Sequence, residues 1–183
     1  MFRRRAGRLF RGMGKPDVPP MLQRANQLMA AGDYSGAAEA FKELAQRAED
    51  RFPQRAPFLF MEAGRAAILS GQTKTGVAHL RRGLTILASQ GRIPRMRVFG
   101  QRAIEELKAR NLNAEAEEIA SLLNANLPKG IPAETSTLTK RPVLPTHCPS
   151  CGAAVRPDEV EWLDDITAEC DYCGSPVRGE QFR

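Results

Sequence analysis

The stretch AAGDYSGAAEAFKEL, residues 30–44, decides the fold. Gly32 and Asp33 interrupt an Ala- and Leu-rich run, and Ala37, Phe41 and Leu44 then fall on one helical face. Such a break suits a helix end followed by a tight turn into the next helix. Working outward, Gly71 interrupts a second run and Asn111 to Asn113 a third. Each break is followed by small and apolar residues at helical spacing: Gly76, Leu80 and Leu84, then Ala116, Ala120 and Leu123. The breaks at Gly32, Gly71 and Asn111 are 39 and 40 residues apart, and the position five residues past each is small: Ala37, Gly76 and Ala116. A small residue repeated at one place in each hairpin lets two helix backbones approach closely. The pattern predicts a mainly α chain of three stacked helical hairpins. Composition agrees, since aromatic residues make up only 6% of the 183 positions while Ala, Leu, Arg and Glu are plentiful.

The run Gly32-Asp33-Tyr34 with Ala37 and Phe41 resembles the turn and second helix of a tetratricopeptide repeat, with Ala25 at the small position of the first helix. Gly64, Gly71, Gly76 and Leu80 fill the equivalent places in the second hairpin, and Ile104 stands where a small residue is usual in the third. Met21 and Gly100 occupy places where a Trp is common, and the period exceeds the family's roughly 34 residues. A plain helical bundle of Ala- and Leu-rich hairpins is the alternative. The resemblance, which covers residues 18–127, implies a concave partner-binding face lined by the first helix of each hairpin, at Asn26 and Met29, Arg65 and Ile68, and Gln101 and Lys108.

All four cysteines lie near the C-terminal end, as Cys148-Pro149-Ser150-Cys151-Gly152 and Cys170-Asp171-Tyr172-Cys173-Gly174. Two residues between paired cysteines let both sulfurs of a tight turn face one ion, and a Gly after the second Cys permits φ > 0. The 18 residues between Cys151 and Cys170 fit a two-knuckle zinc site. Cys148, Cys151, Cys170 and Cys173 are therefore expected to hold one structural Zn²⁺. Disulfides, a redox dithiol and iron are the alternatives. The segment resembles a rubredoxin-type zinc ribbon, with Asp171 the departure in the second knuckle, and that resemblance implies a small β platform built from Val155 to Trp162 and Ile166 to Cys170. Four thiolates leave no coordination position for a water, which disfavours Lewis-acid catalysis.

The net charge of +6 resides at the N-terminus: residues 1–15 carry Arg3, Arg4, Arg5, Arg8, Arg11 and Lys15 and no acid. The rest of the chain balances, and residues 146–183 are acidic. Phe2, Ala6, Leu9, Phe10 and Met13 recur between the arginines at helical spacing, predicting a short helix with one apolar and one cationic face. Such an arm suits an anionic membrane surface, a protein partner or RNA, the alternative being a disordered arm with no assigned role. Nucleic acid is disfavoured by the acidic C-terminal segment.

These readings divide the chain into a basic amphipathic arm (1–17), a helical-repeat domain (18–127), a Pro- and Thr-rich flexible linker (128–146) and a zinc ribbon (147–183). No phosphate-cradling glycine loop and no supported nucleophile, histidine and acid spacing occurs; His79 and His147 read as packing or surface residues, and the Glu105-Glu106 and Glu115, Glu117, Glu118 groups as solvated helix faces. The expectation is a non-catalytic, cytoplasmic binding adaptor or scaffold, membrane-peripheral through its arm. A nucleic-acid-associated zinc-ribbon protein of transcription or translation, or a regulatory subunit of an enzyme on another chain, are the competing expectations.

Overall fold

A computed structural model describes residues 20–126, 142–158, 160–162 and 166–179. The basic arm, most of the segment read as linker, and residues 163–165 and 180–183 lie outside the described residues.

Six helices follow in order: α1 Pro20–Ala31, α2 Tyr34–Arg51, α3 Ala56–Leu69, α4 Thr73–Ser89, α5 Ile93–Ala109 and α6 Asn113–Asn126. The expected breaks end helices in one way. Gly32, Gly71 and Asn111 have φ of 79°, 86° and 61°. The residue after each turns its N–H back onto a helix carbonyl: Asp33 onto Leu28 at 3.0 Å, Gln72 onto Ala67 at 2.8 Å and Leu112 onto Leu107 at 3.0 Å. This left-handed closure satisfies carbonyls that the last helical turn leaves open. Asp33 also caps α2, its carboxylate accepting from the Gly36 N–H at 3.0 Å. A fourth closure of the same kind, at Gly91 with φ 69°, joins α4 to α5. The sequence reading did not single it out.

Each helix packs on the next, and α4 also touches α6. The small residues act as expected at α3 and α4. A Cβ on Gly64 would sit 2.8 Å from the Gly76 carbonyl oxygen, and one on Gly76 2.7 Å from that of Gly64, so the two backbones meet with nothing between them. Gly100, in turn, leaves room for Leu123 of α6, whose Cδ2 would lie 2.5 Å from an added Cβ.

Three short strands close the chain: β1 Glu161–Trp162, β2 Thr167–Glu169 and β3 Pro176–Arg178. They form one antiparallel sheet in chain order, with Trp162 opposite Ala168 and Ala168 opposite Val177. Of the described residues in Val155 to Trp162 only the last two form a strand, while Ala154, just before that stretch, pairs with His147 in an isolated bridge. The third strand, after the second knuckle, was not anticipated. Leu144, in the stretch read as linker, is buried, and Thr146 accepts the Val155 N–H at 2.9 Å, so the ordered C-terminal module starts before His147.

The buried side chains form two clusters. One joins α4, α5 and α6 to Phe58 and Met61 of α3. The other runs from Leu22, Ala25, Ala37, Phe41 and Phe60 of the helices into Leu144, Val155, Val177 and all four cysteines. Helices and C-terminal module therefore share one core, and Tyr172 packs against both clusters.

Candidate metal centre

Each cysteine pair sits on a turn of the same build. In the first, the Gly152 N–H returns to the Cys148 carbonyl at 2.9 Å and the Cys148 N–H reaches Ala153 O at 2.8 Å. In the second, Gly174 N–H meets Cys170 O at 2.8 Å and Cys170 N–H meets Ser175 O at 3.0 Å. Gly152 and Gly174 take φ of 77° and 71°, as the glycine positions predict. The turns bring four sulfurs within 4.8 Å of one another, with Cys148 to Cys173 at 3.7 Å and Cys151 to Cys170 at 3.8 Å. All four are free cysteines and each is 2% exposed.

These separations test the donor set against a metal. Sulfurs at the corners of a tetrahedron about 2.3 Å from a zinc ion are roughly 3.8 Å apart. Two of the six edges, Cys148 to Cys173 and Cys151 to Cys170, have that length, the rest lie within 4.8 Å, and burial leaves little room for a further ligand. Hydrogen bonds from Cys151, then Cys170 and Cys173, pull the Cys148 thiol far below the usual range, while its bond to Cys148 pushes Cys151 up. A cation relieves such proton sharing by taking every sulfur as thiolate. Buried Ser175 places Oγ 3.1 Å from Cys173 Sγ, and against a thiolate only the hydroxyl can donate.

The helices hold this centre from both sides. Asn26 Nδ2 of α1 donates to Cys151 O at 2.9 Å, and Gln23 Nε2 to Ser150 O at 3.1 Å, so α1 reads the backbone of the first knuckle. The second knuckle meets α3 and α5. Tyr172 donates its hydroxyl to Glu62 Oε1 at 3.0 Å and sets its ring edge-on to Phe58, centroids 6.4 Å apart. Arg95 pairs with Asp171 and reaches Glu161 at 3.5 Å, and Arg102 meets Asp158 at 3.0 Å. Burial raises the pKa of Glu62, against the opposing pull of Arg65 and the Tyr172 hydrogen bond. Burial likewise raises Asp171 and Tyr172.

The six residues expected to line a partner surface go to different places. Asn26 is engaged by the first knuckle, and Arg65 pairs with Glu106 at 2.9 Å beside Tyr172. Met29 and Ile68 are half-buried against the two clusters, while Gln101 and Lys108 are exposed. Glu106, expected on a solvated face, is thus part of a charged group with Arg65 and Glu62. The cavity beside it, lined by Glu62, Arg65, Arg102, Arg156 and Tyr172, holds about 40 Å³, well short of the roughly 300 Å³ at which small-molecule pockets begin. His79 packs on the Phe60 ring at 6.0 Å, and His147 is exposed beside Thr146.

Sequence reasoning missed Glu62, Arg95 and Tyr172 as positioning residues. The one signal available was Asp171, where the second knuckle departs from the ribbon pattern; that residue is the partner of Arg95. Among the described residues no helix is long and apolar enough to cross a membrane. Compared with known proteins, the chain matches no protein-family model, no curated protein and no solved structure.

Proposed function

We propose that the chain is a non-catalytic binding adaptor, with tetratricopeptide-like stacked hairpins as its scaffold and a zinc ribbon holding one structural Zn²⁺. The observation that carries this reading is the set of four buried sulfurs within 4.8 Å of one another, seated on a helical layer. Such a centre stabilises a small module that could not fold on its own core, and it offers a substrate no open metal position. The ion is zinc, since an all-thiolate tetrahedral set with no redox partner nearby suits a metal that does not change oxidation state. The site of action is the cytoplasm, with the basic arm of residues 1–15 docking on anionic lipid or on the protein partner.

Two further observations favour protein over nucleic acid as the partner. Of the basic stretch Arg81, Arg82, Arg92, Arg95, Arg97 and Arg102 that a phosphate backbone would need, Arg81, Arg82, Arg95 and Arg102 pair with Glu118, Glu49, Asp171 and Asp158. Residues 146–183 remain acidic. A pull-down with the intact chain and with Cys148→Ser tests the reading. A protein captured by the chain supports it, the variant showing whether the cysteine module is needed for that capture; recovery of RNA or DNA with steep salt dependence in place of protein overturns it.

A further inference from the structure

The face of α1, α3 and α5 that an adaptor of this kind would present is covered by the chain's own C-terminal module. The cover is chemically specific. Asn26 binds a knuckle carbonyl, Glu62 takes a tyrosine hydroxyl, and Arg95 and Arg102 each take an acid. Phe58, 1% exposed, lies under Tyr172. At Gly174 the approach is so close that an added Cβ would meet Arg55 Nη2 at 2.0 Å. These contacts are made by a knuckle or by the loop between the knuckles, and the edge strand β1 adds Glu161, 3.5 Å from Arg95.

We propose that the metal centre is a latch on this face: the ion holds both knuckles in the shape that docks, and its loss frees the module and uncovers Phe58, Glu62, Arg95 and Arg102 as a docking surface for a protein segment carrying an acid beside a tyrosine. The chemistry of the occupant is read from the one in place, Asp171-Tyr172, which satisfies Arg95 and Glu62 together. The inference rests on the zinc reading above and adds its consequence for the helices. Metal binding and docking are linked, so a change that weakens docking weakens metal binding, by at most the same factor. The linkage is physical at both knuckles. Asn26 and Gln23 bind the carbonyls of Cys151 and Ser150, and Asp171 and Tyr172 lie between two ligands.

Hydroxyl-radical footprinting of the full chain, zinc-loaded and after chelation under reducing conditions, reads the exposure of Phe58 directly. Labelling there is expected to rise several-fold on chelation. Competition with a chromophoric chelator then compares zinc affinity in the natural chain and in Arg95→Glu, which sets two like charges against each other without touching a ligand. A loss of about tenfold is expected, within the usual range for coupled sites. Should Arg95→Glu lose its helical circular dichroism, Gln23→Ala with Asn26→Ala breaks the other end of the dock and must give the same direction of change. Unchanged Phe58 labelling after zinc has left, or unaltered zinc affinity in a folded docking variant, overturns the latch. A natural chain that carries no zinc at all instead overturns the metal reading beneath it.

Discussion

The hydroxyl of Tyr172 and the carboxylate of Glu62, 110 positions apart in the chain, form a 3.0 Å hydrogen bond where the cysteine module meets α3. Burial holds Glu62 above the ordinary carboxylate range, so its charge opposes folding. The sign is fixed by that direction. A carboxyl that binds its proton more tightly when folded adds nothing below its unfolded value near 4.5, and it lowers stability as pH rises from there through the folded value. Glu62→Gln keeps an acceptor for Tyr172 and removes the charge. The variant should therefore gain in melting temperature over the natural chain as pH rises from 4.5 to 7, with the gain vanishing at the acid end. A gain that is flat with pH would show that Glu62 is not the titrating group.

Tyr172→Phe leaves the ring on Phe58 and removes the hydroxyl that donates to Glu62. A buried acceptor left unpaired costs about 1–3 kcal/mol, and Glu62, part-exposed with Arg65 4.0 Å away, should fall at the low end of that range. Urea unfolding followed by helical circular dichroism should show that loss, and Tyr172→Phe in a Glu62→Gln background should cost less, because a neutral amide tolerates the missing partner better.

Purified protein should carry about one zinc per chain, since the described residues place a single set of four sulfurs together. Ser175→Ala removes the hydroxyl beside Cys173 and should lower zinc affinity by roughly 10- to 100-fold, the usual effect of an outer partner of a metal ligand, without changing the stoichiometry at saturating zinc. Elemental analysis under reducing conditions checks the first statement and chelator competition the second.

Gly76→Ala and Gly71→Ala separate two uses of glycine. At Gly76 the added methyl meets the Gly64 carbonyl at 2.7 Å and the Ile68 side chain at 2.5 Å, and backbone cannot step aside cheaply. Overpacking of this kind costs about 1–3 kcal/mol or more. At Gly71 the space is open and only the left-handed backbone is strained, at about 1–2 kcal/mol. Both should destabilise, but Gly76→Ala alone should also change the packing of α3 on α4, visible as shifted aliphatic NMR resonances along both helices.

What the sequence disclosed follows from range. The turns at Gly32, Gly71 and Asn111 were legible because a left-handed closure is local and selects its residue. The cysteine spacing was legible because each knuckle is a five-residue device. Gly91 escaped notice because Arg-rich residues follow it and blur the apolar face of α5. The strand Pro176–Arg178 is too short to show a period, and only its pairing with Thr167–Glu169 defines it. Nothing local marks Glu62 or Arg95 as partners of the cysteine module, since each looks like an ordinary helix-surface charge until α3 and α5 are placed beneath the second knuckle.

The last prediction concerns α1. From sequence, a linker between helices and zinc site implies that a chelator should unfold the C-terminal module while leaving most of the helical circular dichroism. The shared core implies a different result at one helix. Leu22 and Ala25 of α1 belong to the cluster that contains the four cysteines, and Gln23 and Asn26 spend their amides on the first knuckle. What then remains for α1 is α2. A helix of 12 residues is too short to persist on its own propensity in water. Chelation should therefore remove helical ellipticity corresponding to about these 12 residues, with α3 to α6 retained, and hydrogen exchange should locate the loss at Pro20–Ala31. Leu22→Ala should bring zinc-loaded protein partway to the same state, at a cost of about 2–5 kcal/mol for a large-to-small change in a core. Full helical signal after zinc removal, with exchange at α1 unchanged, would mean that α2 alone holds α1 and that the metal centre and the helices are neighbours without thermodynamic linkage.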